Sequence, residues 1–337
     1  MEALLYDRLD DNRVRCRLCC HRCVIADGRR GICRVRENRG GVLHSLVYGR
    51  LVARHVDPIE KKPLFHFLPG SLSYSIATVG CNLRCRFCQN ADIAQMPADR
   101  GGAILGETAT PAQVVEAAGR AGCRSLSYTY TEPTVFFEFA LETARLARAS
   151  GLRNVFVTNG YMTPEAIELL APVLDAANVD LKGFTQKYYK GICGADLGHV
   201  QETLRRMRAA GIFVEVTTLI VPGLNDDPAE LEALARFLVE DLGPDTPWHI
   251  SRFHPTYRLT DRPPTPVATL HRAHAIGRAA GLRYVYVGNV PGDEGESTRC
   301  PGCGAMLVER RGFRVGKMRL KDGRCADCGT AIEGVWS

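Results

Sequence analysis

Between about residues 73 and 288 the chain alternates short apolar runs with amphipathic stretches long enough to be helices. The apolar runs Tyr74–Val79, Ser125–Thr129, Asn154–Thr158, Ala177–Leu181, Phe213–Leu219, Trp248–Phe253 and Arg283–Val287 read as strands. Several are apolar without alternation, the pattern of parallel strands buried on both faces. The helices between them open on a repeated device, a capping residue followed by proline, at Thr110-Pro111, Thr163-Pro164, Asp227-Pro228 and Thr265-Pro266. Gly151, Gly211 and Gly281 stand where helices should end, just before the next strand. Six strand–helix units and a seventh strand predict an α/β fold with a partial or complete βα barrel. A doubly wound open sheet would carry a glycine-rich phosphate turn after its first strand, and here that turn holds cysteines. On either architecture, function belongs at the C-terminal ends of the strands.

The flanks are different in kind. The first 58 residues are rich in cysteine and arginine and have no long periodic segment, and the last 40 or so are similar. This divides the chain into a cysteine-rich N-terminal module at 1–58, a barrel at 59–296 and a small C-terminal module at 297–337. The 45% hydrophobic and 24% charged residues are those of an ordinary globular chain. No apolar run approaches the ~18 residues of a membrane span, and Met1–Arg15 is charged, with no apolar segment of a secretory signal. The expectation is a cytoplasmic protein with no membrane partner.

Cysteine changes the picture most. Fourteen cysteines are too many for packing, and a cytoplasmic location does not favour a disulfide scaffold. Eleven serve three tight groups. These are Cys16, Cys19, Cys23 and Cys33; Cys81, Cys85 and Cys88; and Cys300, Cys303, Cys325 and Cys328. Cys20, Cys123 and Cys193 are left as small buried hydrophobes. Metals held on thiolates would lower the formal net charge of +6 to about +1. The apparent basicity therefore argues little for a nucleic-acid partner.

Cys81-Asn-Leu-Arg-Cys85-Arg-Phe-Cys88 directly follows the first barrel strand. Structural zinc sites and ordinary ferredoxin clusters close with four ligands. Three thiolates on one loop leave a four-iron cluster with one open position. The motif resembles the signature of the radical S-adenosylmethionine (SAM) superfamily. That resemblance implies a four-iron (4Fe-4S) cluster on Cys81, Cys85 and Cys88, with S-adenosyl-L-methionine bound at the open iron. Reductive cleavage of the sulfonium would then give a 5′-deoxyadenosyl radical that abstracts hydrogen, with the electron from a donor such as flavodoxin or ferredoxin. Asn82, Leu83 and Phe87 would wrap the cluster.

The resemblance continues at the other strand ends. Thr131-Glu132-Pro133 stands at the Gly-Gly-Glu-Pro motif of relatives of pyruvate formate-lyase activating enzyme, with Tyr130 and Thr131 in place of the two glycines. It implies cofactor-binding roles for Glu132, for Thr158 and Asn159 of Thr158-Asn159-Gly160, for Asp180 and Lys182, and for His254. Each also has a structural reading: Glu132 as a helix-start acid, Asp180–Lys182 as an ion pair, His254 as a satisfied barrel histidine. From end to end the chain is similar to the AmmeMemoRadiSam-system radical enzyme family. The carrying segments are Cys16–Cys33, the run from Asp57 to Gly70, the cluster loop and the C-terminal cysteine pairs. Cys20 stands where that family usually has proline, which leaves the ligand choice between Cys19 and Cys20 open. The implied partners are a protein substrate or Memo-like and AMMECR1-like proteins.

Cys300-Pro-Gly-Cys303 and Cys325-Ala-Asp-Cys328 read as a zinc-ribbon-like pair of knuckles. Rubredoxin-like iron and redox-active thiols are the alternatives. Val308–Leu320, with Arg310, Arg311, Arg314, Lys317 and Arg319, reads as a basic hairpin whose charges form a solvated face. The N-terminal group suits zinc or a second cluster. Zinc is preferred, because small modules without a core commonly need a staple. Four functions stay open: glycyl-radical activation of a partner protein, radical modification of a small molecule, radical modification of nucleic acid, and a non-enzymatic metal-binding scaffold.

Overall fold

The computed structural model describes residues 1–337. Its centre is one eight-stranded sheet. The strands are β1 (Ala53–Pro58), β2 (Leu72–Ala77), β3 (Ser125–Tyr128), β4 (Arg153–Thr158), β5 (Ala176–Asp180), β6 (Phe213–Ile220), β7 (Trp248–Arg252) and β8 (Val285–Gly288). Spatial order follows chain order, with β2 to β8 all parallel and β1 added antiparallel along β2. No pairing joins β8 to β1, so the sheet curls into a partial barrel and does not close.

The strands are less uniformly apolar in their surroundings than an all-hydrophobic reading predicts. One face, with Ile76, Leu126, Phe156, Val179, Val216 and Ile250, packs on the helices in a single large core. The other presents Ser73, Ser127, Asn178, Glu215, Thr217 and His249 to the barrel interior, all buried. Period-two alternation puts successive side chains on opposite faces. An open barrel can keep a polar interior because something else fills it. That filler is the segment after β1, which buries Ile59, Leu64, Phe67 and Leu68 against β4, β5 and β6. Its backbone is held by Glu215, which accepts from the N–H groups of Phe65 (3.0 Å) and His66 (2.7 Å), and by Asn178, which donates to the Pro63 carbonyl (2.8 Å). Each such apolar side chain contributes about 1.5–3 kcal/mol, an upper figure.

The predicted helix starts hold at three of four places. Thr110, Thr163 and Asp227 accept hydrogen bonds from the first turns of the helices Pro111–Arg120, Pro164–Leu170 and Pro228–Phe237. At the fourth, the helix begins at Val267 with Pro266 as its cap. Thr265 is occupied elsewhere: its hydroxyl donates to the Ile220 carbonyl (2.6 Å) and accepts from Phe253 N–H (3.1 Å). It ties the ends of β6 and β7 together.

The N-terminal module is built of short antiparallel pairings, Tyr6–Arg8 with Val14–Cys16 and Arg36–Arg39 with Val42–Ser45. The C-terminal module is a small sheet of Thr298–Arg299, Met306–Arg311 and Arg314–Met318. It packs on Tyr284, Tyr286 and Phe65 through Leu307, Val308 and Ile332. Arg310 departs from the expected solvated face. It is buried, with its guanidinium 4.3 Å from the centre of the Phe65 ring and donating to the Phe65 carbonyl (2.6 Å) and Thr298 hydroxyl (2.7 Å). The basic hairpin thus uses one of its charges as an anchor.

Candidate radical site and metal centres

The loop after β2 begins at Gly80, where φ is +103° and a Cβ would meet Val35 Cγ1 at 2.6 Å. Only glycine lets the loop turn so close to the N-terminal module. Asn82, Leu83 and Phe87 are buried, while Cys81 and Cys88 are half-buried and Cys85 is buried. The loop is held from three sides. Gln95 donates to the Leu83 carbonyl (3.0 Å), and Arg84 and Arg86 N–H bond the carbonyls of Cys193 (2.8 Å) and Ile192 (3.1 Å). His21 of the N-terminal module bonds the Asn82 carbonyl (2.7 Å).

These three cysteines fit a polynuclear group. Their sulfurs do not converge within 4.8 Å of one another, the distance that brings a ligand set together on a single ion. Burial pushes the Cys81 thiol well up and Cys88 to about 11. Such thiols ionise when a cation takes the proton's place. Cys85 is drawn down by a hydrogen bond from Cys193 and by the charge of Lys182.

The neighbouring strand ends converge on this loop. Glu132 is buried, and its carboxylate accepts from Thr134 N–H (3.0 Å), the hydroxyls of Thr134 (2.5 Å) and Thr158 (2.7 Å), and Asn159 N–H (2.8 Å). It therefore does start the short helical turn Pro133–Phe136 and at the same time fixes Thr158-Asn159. Burial raises its pKa, against the pull of those donors. The Asn159 amide then donates to Asn82 Oδ1 (2.8 Å) and to Cys81 Sγ (3.6 Å). At the end of β5, Asp180 pairs with Lys182, two residues beyond the strand, at 2.9 Å, and Lys182 Nζ stands 5.8 Å from the Phe87 ring centre. Burial works against the Lys182 charge, yet Asp180 and the thiols of Cys85 and Cys193 hold its pKa well above the usual value. Glu132, Thr158, Asn159, Asp180 and Lys182 are thus gathered around the cluster loop. His254 is exposed, on the wall of a cleft of about 1190 Å³ between the barrel rim and the C-terminal hairpin. Gln89, next to Cys88, lines the same cleft, with Arg252, Glu309, Arg311 and Phe313.

The partners of two residues near the site escaped the sequence reading. Cys193, taken as a packing residue, lies against Cys85. Nothing in its local sequence marks this, because a tertiary contact brings it there. Tyr130 has φ +63°, the left-handed region that the absent glycine would favour. This conformation costs roughly 1–3 kcal/mol in a non-glycine residue. The cost is offset where the Tyr130 hydroxyl donates to Asp57 and Lys62 Nζ lies 4.5 Å from its ring centre. The Tyr-for-Gly departure was visible in the sequence, but its partners in the Asp57–Gly70 run were not.

At the chain's ends the cysteines gather in two further places. Cys300–Cys328 and Cys303–Cys325 sulfurs stand at 3.5 and 3.8 Å, and all four lie within 4.8 Å of one another. Cys328 is drawn down to about 6, first by the Thr330 hydroxyl and backbone N–H, then by the neighbouring thiols. Cys16, Cys19, Cys23 and Cys33 line one void, whereas the Cys20 thiol turns away to donate to the Met162 carbonyl (2.9 Å).

Comparison with known proteins agrees with this arrangement. The model of the Radical SAM superfamily matches residues 75–238. An uncharacterized protein of Methanocaldococcus jannaschii is 48% identical over 98% of this chain and 98% of its own length. The isethionate sulfite-lyase activating enzyme of Nitratidesulfovibrio vulgaris is 32% identical over 33% of this chain and 37% of its own. The crystal structure of a radical SAM methyltransferase from Sphaerobacter thermophilus shares the fold at a TM-score of 0.51 and 22% identity, covering 66% of this chain and 67% of that one.

Proposed function

The chain belongs to the radical SAM superfamily and is an enzyme of it, and we propose that its substrate is a segment of a partner protein from which it abstracts hydrogen, leaving a glycyl radical. A four-iron cluster on Cys81, Cys85 and Cys88 with S-adenosylmethionine supplies the 5′-deoxyadenosyl radical for that step. The protein's own part is positional. Glu132 holds Thr158 and Asn159 in register, Asn159 steadies the turn at Cys81, and Lys182 brings a fixed positive charge to Cys85. Asn82, Leu83 and Phe87 keep water from the buried side of the loop.

The observation that carries the choice of substrate is the cleft. It starts at Gln89, one residue past the last cluster cysteine, and at about 1190 Å³ exceeds the usual ~300–1,000 Å³ of a small-molecule pocket. Both signs of charge line it, Arg252, Arg299 and Arg311 together with Asp293, Glu294 and Glu309. The carboxylates disfavour a phosphate backbone, and the mixture suits a polypeptide. The similarity to an activating enzyme, whose substrate by its name is another enzyme, supports the same reading. We place the chain in the AmmeMemoRadiSam group, with Memo-like and AMMECR1-like proteins as candidate partners and a flavodoxin or ferredoxin as reductant in the cytoplasm. No helix is long and apolar enough to cross a membrane. The C-terminal cysteines are proposed to hold zinc, since sulfurs about 3.8 Å apart are what Zn–S bonds of ~2.3 Å in a tetrahedron require.

Anaerobically reconstituted protein with reductant should convert S-adenosylmethionine to 5′-deoxyadenosine, and Cys81→Ala, Cys85→Ala or Cys88→Ala should reduce this to background. Deuterium placed on glycine Cα of a candidate partner should appear in 5′-deoxyadenosine. Label arriving only from a small molecule would overturn the protein-substrate reading.

A further inference from the structure

We propose that Cys16, Cys19, Cys23 and Cys33 hold a second, fully ligated four-iron cluster in place of the zinc ion that their number alone suggests. Three observations carry this. The four cysteines line one small void between strands of the N-terminal module and the turn at Thr134-Val135. Most of its lining is hydrophobic, a setting that offers a water few partners.

The second observation is spacing. A zinc ion draws four sulfurs to within a few ångströms of one another, which is the spacing of the C-terminal group. No three of the N-terminal sulfurs lie within 4.8 Å of one another. In this they resemble Cys81, Cys85 and Cys88. In a four-iron cluster each ligand sulfur binds its own iron, so the sulfurs stand apart around the cluster's volume. A two-iron cluster would pair them two to an iron, and no thiol–thiol hydrogen bond joins any two of the four, in contrast to the C-terminal pairs.

The third is charge. Arg36 lines the void, is 2% exposed, and leaves Nε and Nη1 without a hydrogen-bond partner. Its Nη2 is engaged by Glu138 and the Leu4 carbonyl. Buried unpaired N–H groups of a cation are costly. An oxidised four-iron cluster on four thiolates carries a net charge of −2 and presents sulfide acceptors, which would satisfy both. The four ligands leave no open iron, so this cluster would bind no S-adenosylmethionine. Cys19 is the ligand and Cys20 is not, because only Cys19 faces the void.

The test uses full-length protein reconstituted without oxygen. Wild type should carry about eight iron and eight sulfide per chain. The Cys81→Ala/Cys85→Ala/Cys88→Ala variant should keep about half of each. Once reduced, it should give an electron paramagnetic resonance signal that S-adenosylmethionine does not shift. Adding Cys23→Ala and Cys33→Ala should remove that signal and the remaining iron. Wild type with only about four iron and two zinc per chain, or a folded triple variant without iron, would overturn the inference. Should the triple variant fail to fold, the wild-type metal count decides alone. Failure here is separable from failure of the proposed reaction. Four-iron protein that still cleaves S-adenosylmethionine refutes only the second cluster. Iron retained in the triple variant supports it whatever the substrate proves to be.

Discussion

At the C-terminal end, two pairs of cysteine sulfurs meet at 3.5 and 3.8 Å on the surface, with Cys303 and Cys328 exposed. At the N-terminal end the same number of cysteines stand apart around an internal void, backed by a buried arginine. The ligand chemistry is the same and the geometry is opposite. The C-terminal group comes from two Cys-x-x-Cys knuckles, whose tight turns aim both sulfurs at one point. The N-terminal group draws Cys33 from the far side of a turn ten residues beyond Cys23, so its sulfurs enclose a volume. Thiol count therefore says little about what a site holds, and the separation of the sulfurs says much more.

Metal loss should tell most at the C-terminal end. Cys325→Ala should release one zinc per chain, and metal binding of this kind supplies on the order of 10 kcal/mol toward folding. We expect trypsin to cut rapidly within Met306–Met318 while the barrel's circular dichroism is retained. Unchanged protease resistance would show that the module's packing on Tyr284 and Tyr286 suffices without metal.

At the N-terminal end the sensitive probe is the partner of Arg36. Glu138→Gln leaves that guanidinium without its buried counter-charge, which costs about 3–5 kcal/mol when nothing else compensates. Cluster-loaded protein should lose less than cluster-free protein in paired denaturant titrations. Equal losses would mean that Arg36 does not feel an anion in the void.

A smaller effect separates the modules by pH. Burial lowers the pKa of His66 to about 4, and its ring bonds the Glu333 carbonyl (2.7 Å) and Tyr286 hydroxyl (2.6 Å), joining the C-terminal residues to the barrel. Unfolded histidine titrates near 6.5. Between pH 6.5 and 4 the unfolded chain binds a proton that the native chain does not. The contribution of this histidine is thus complete above 6.5 and falls as pH drops, by roughly 2 kcal/mol at pH 5. Thermal melts across this window, with proteolysis of the C-terminal module as the local readout, should show the decline. A flat curve would mean that His66 titrates normally.

The smallest effect is expected at Cys20. Cys20→Ala removes one hydrogen bond to Met162 and should cost no more than about 1 kcal/mol, with the iron count unchanged. Loss of about four iron would make Cys20 a ligand after all.

The order of elements, the class of fold and the loop that carries the chemistry are written in local patterns of the chain. Strand periodicity, Pro-capped helix starts and Cys-x3-Cys-x2-Cys spacing are local properties, and local sterics and ligand reach decide them within a few residues. The seven parallel strands and the cysteines at the end of the first are therefore legible without coordinates. The tertiary structure alone decided which residues meet across distant segments. It set Cys193 against Cys85 and Tyr130 on Asp57. It withdrew Arg310 from solvent to anchor a module and set His254 on the same cleft as Gln89, the neighbour of Cys88. It also spread the N-terminal sulfurs around a void. These contacts join residues tens to hundreds of positions apart, and no local pattern encodes their distances. They follow from how the strands and their flanking modules pack, which only the folded chain expresses.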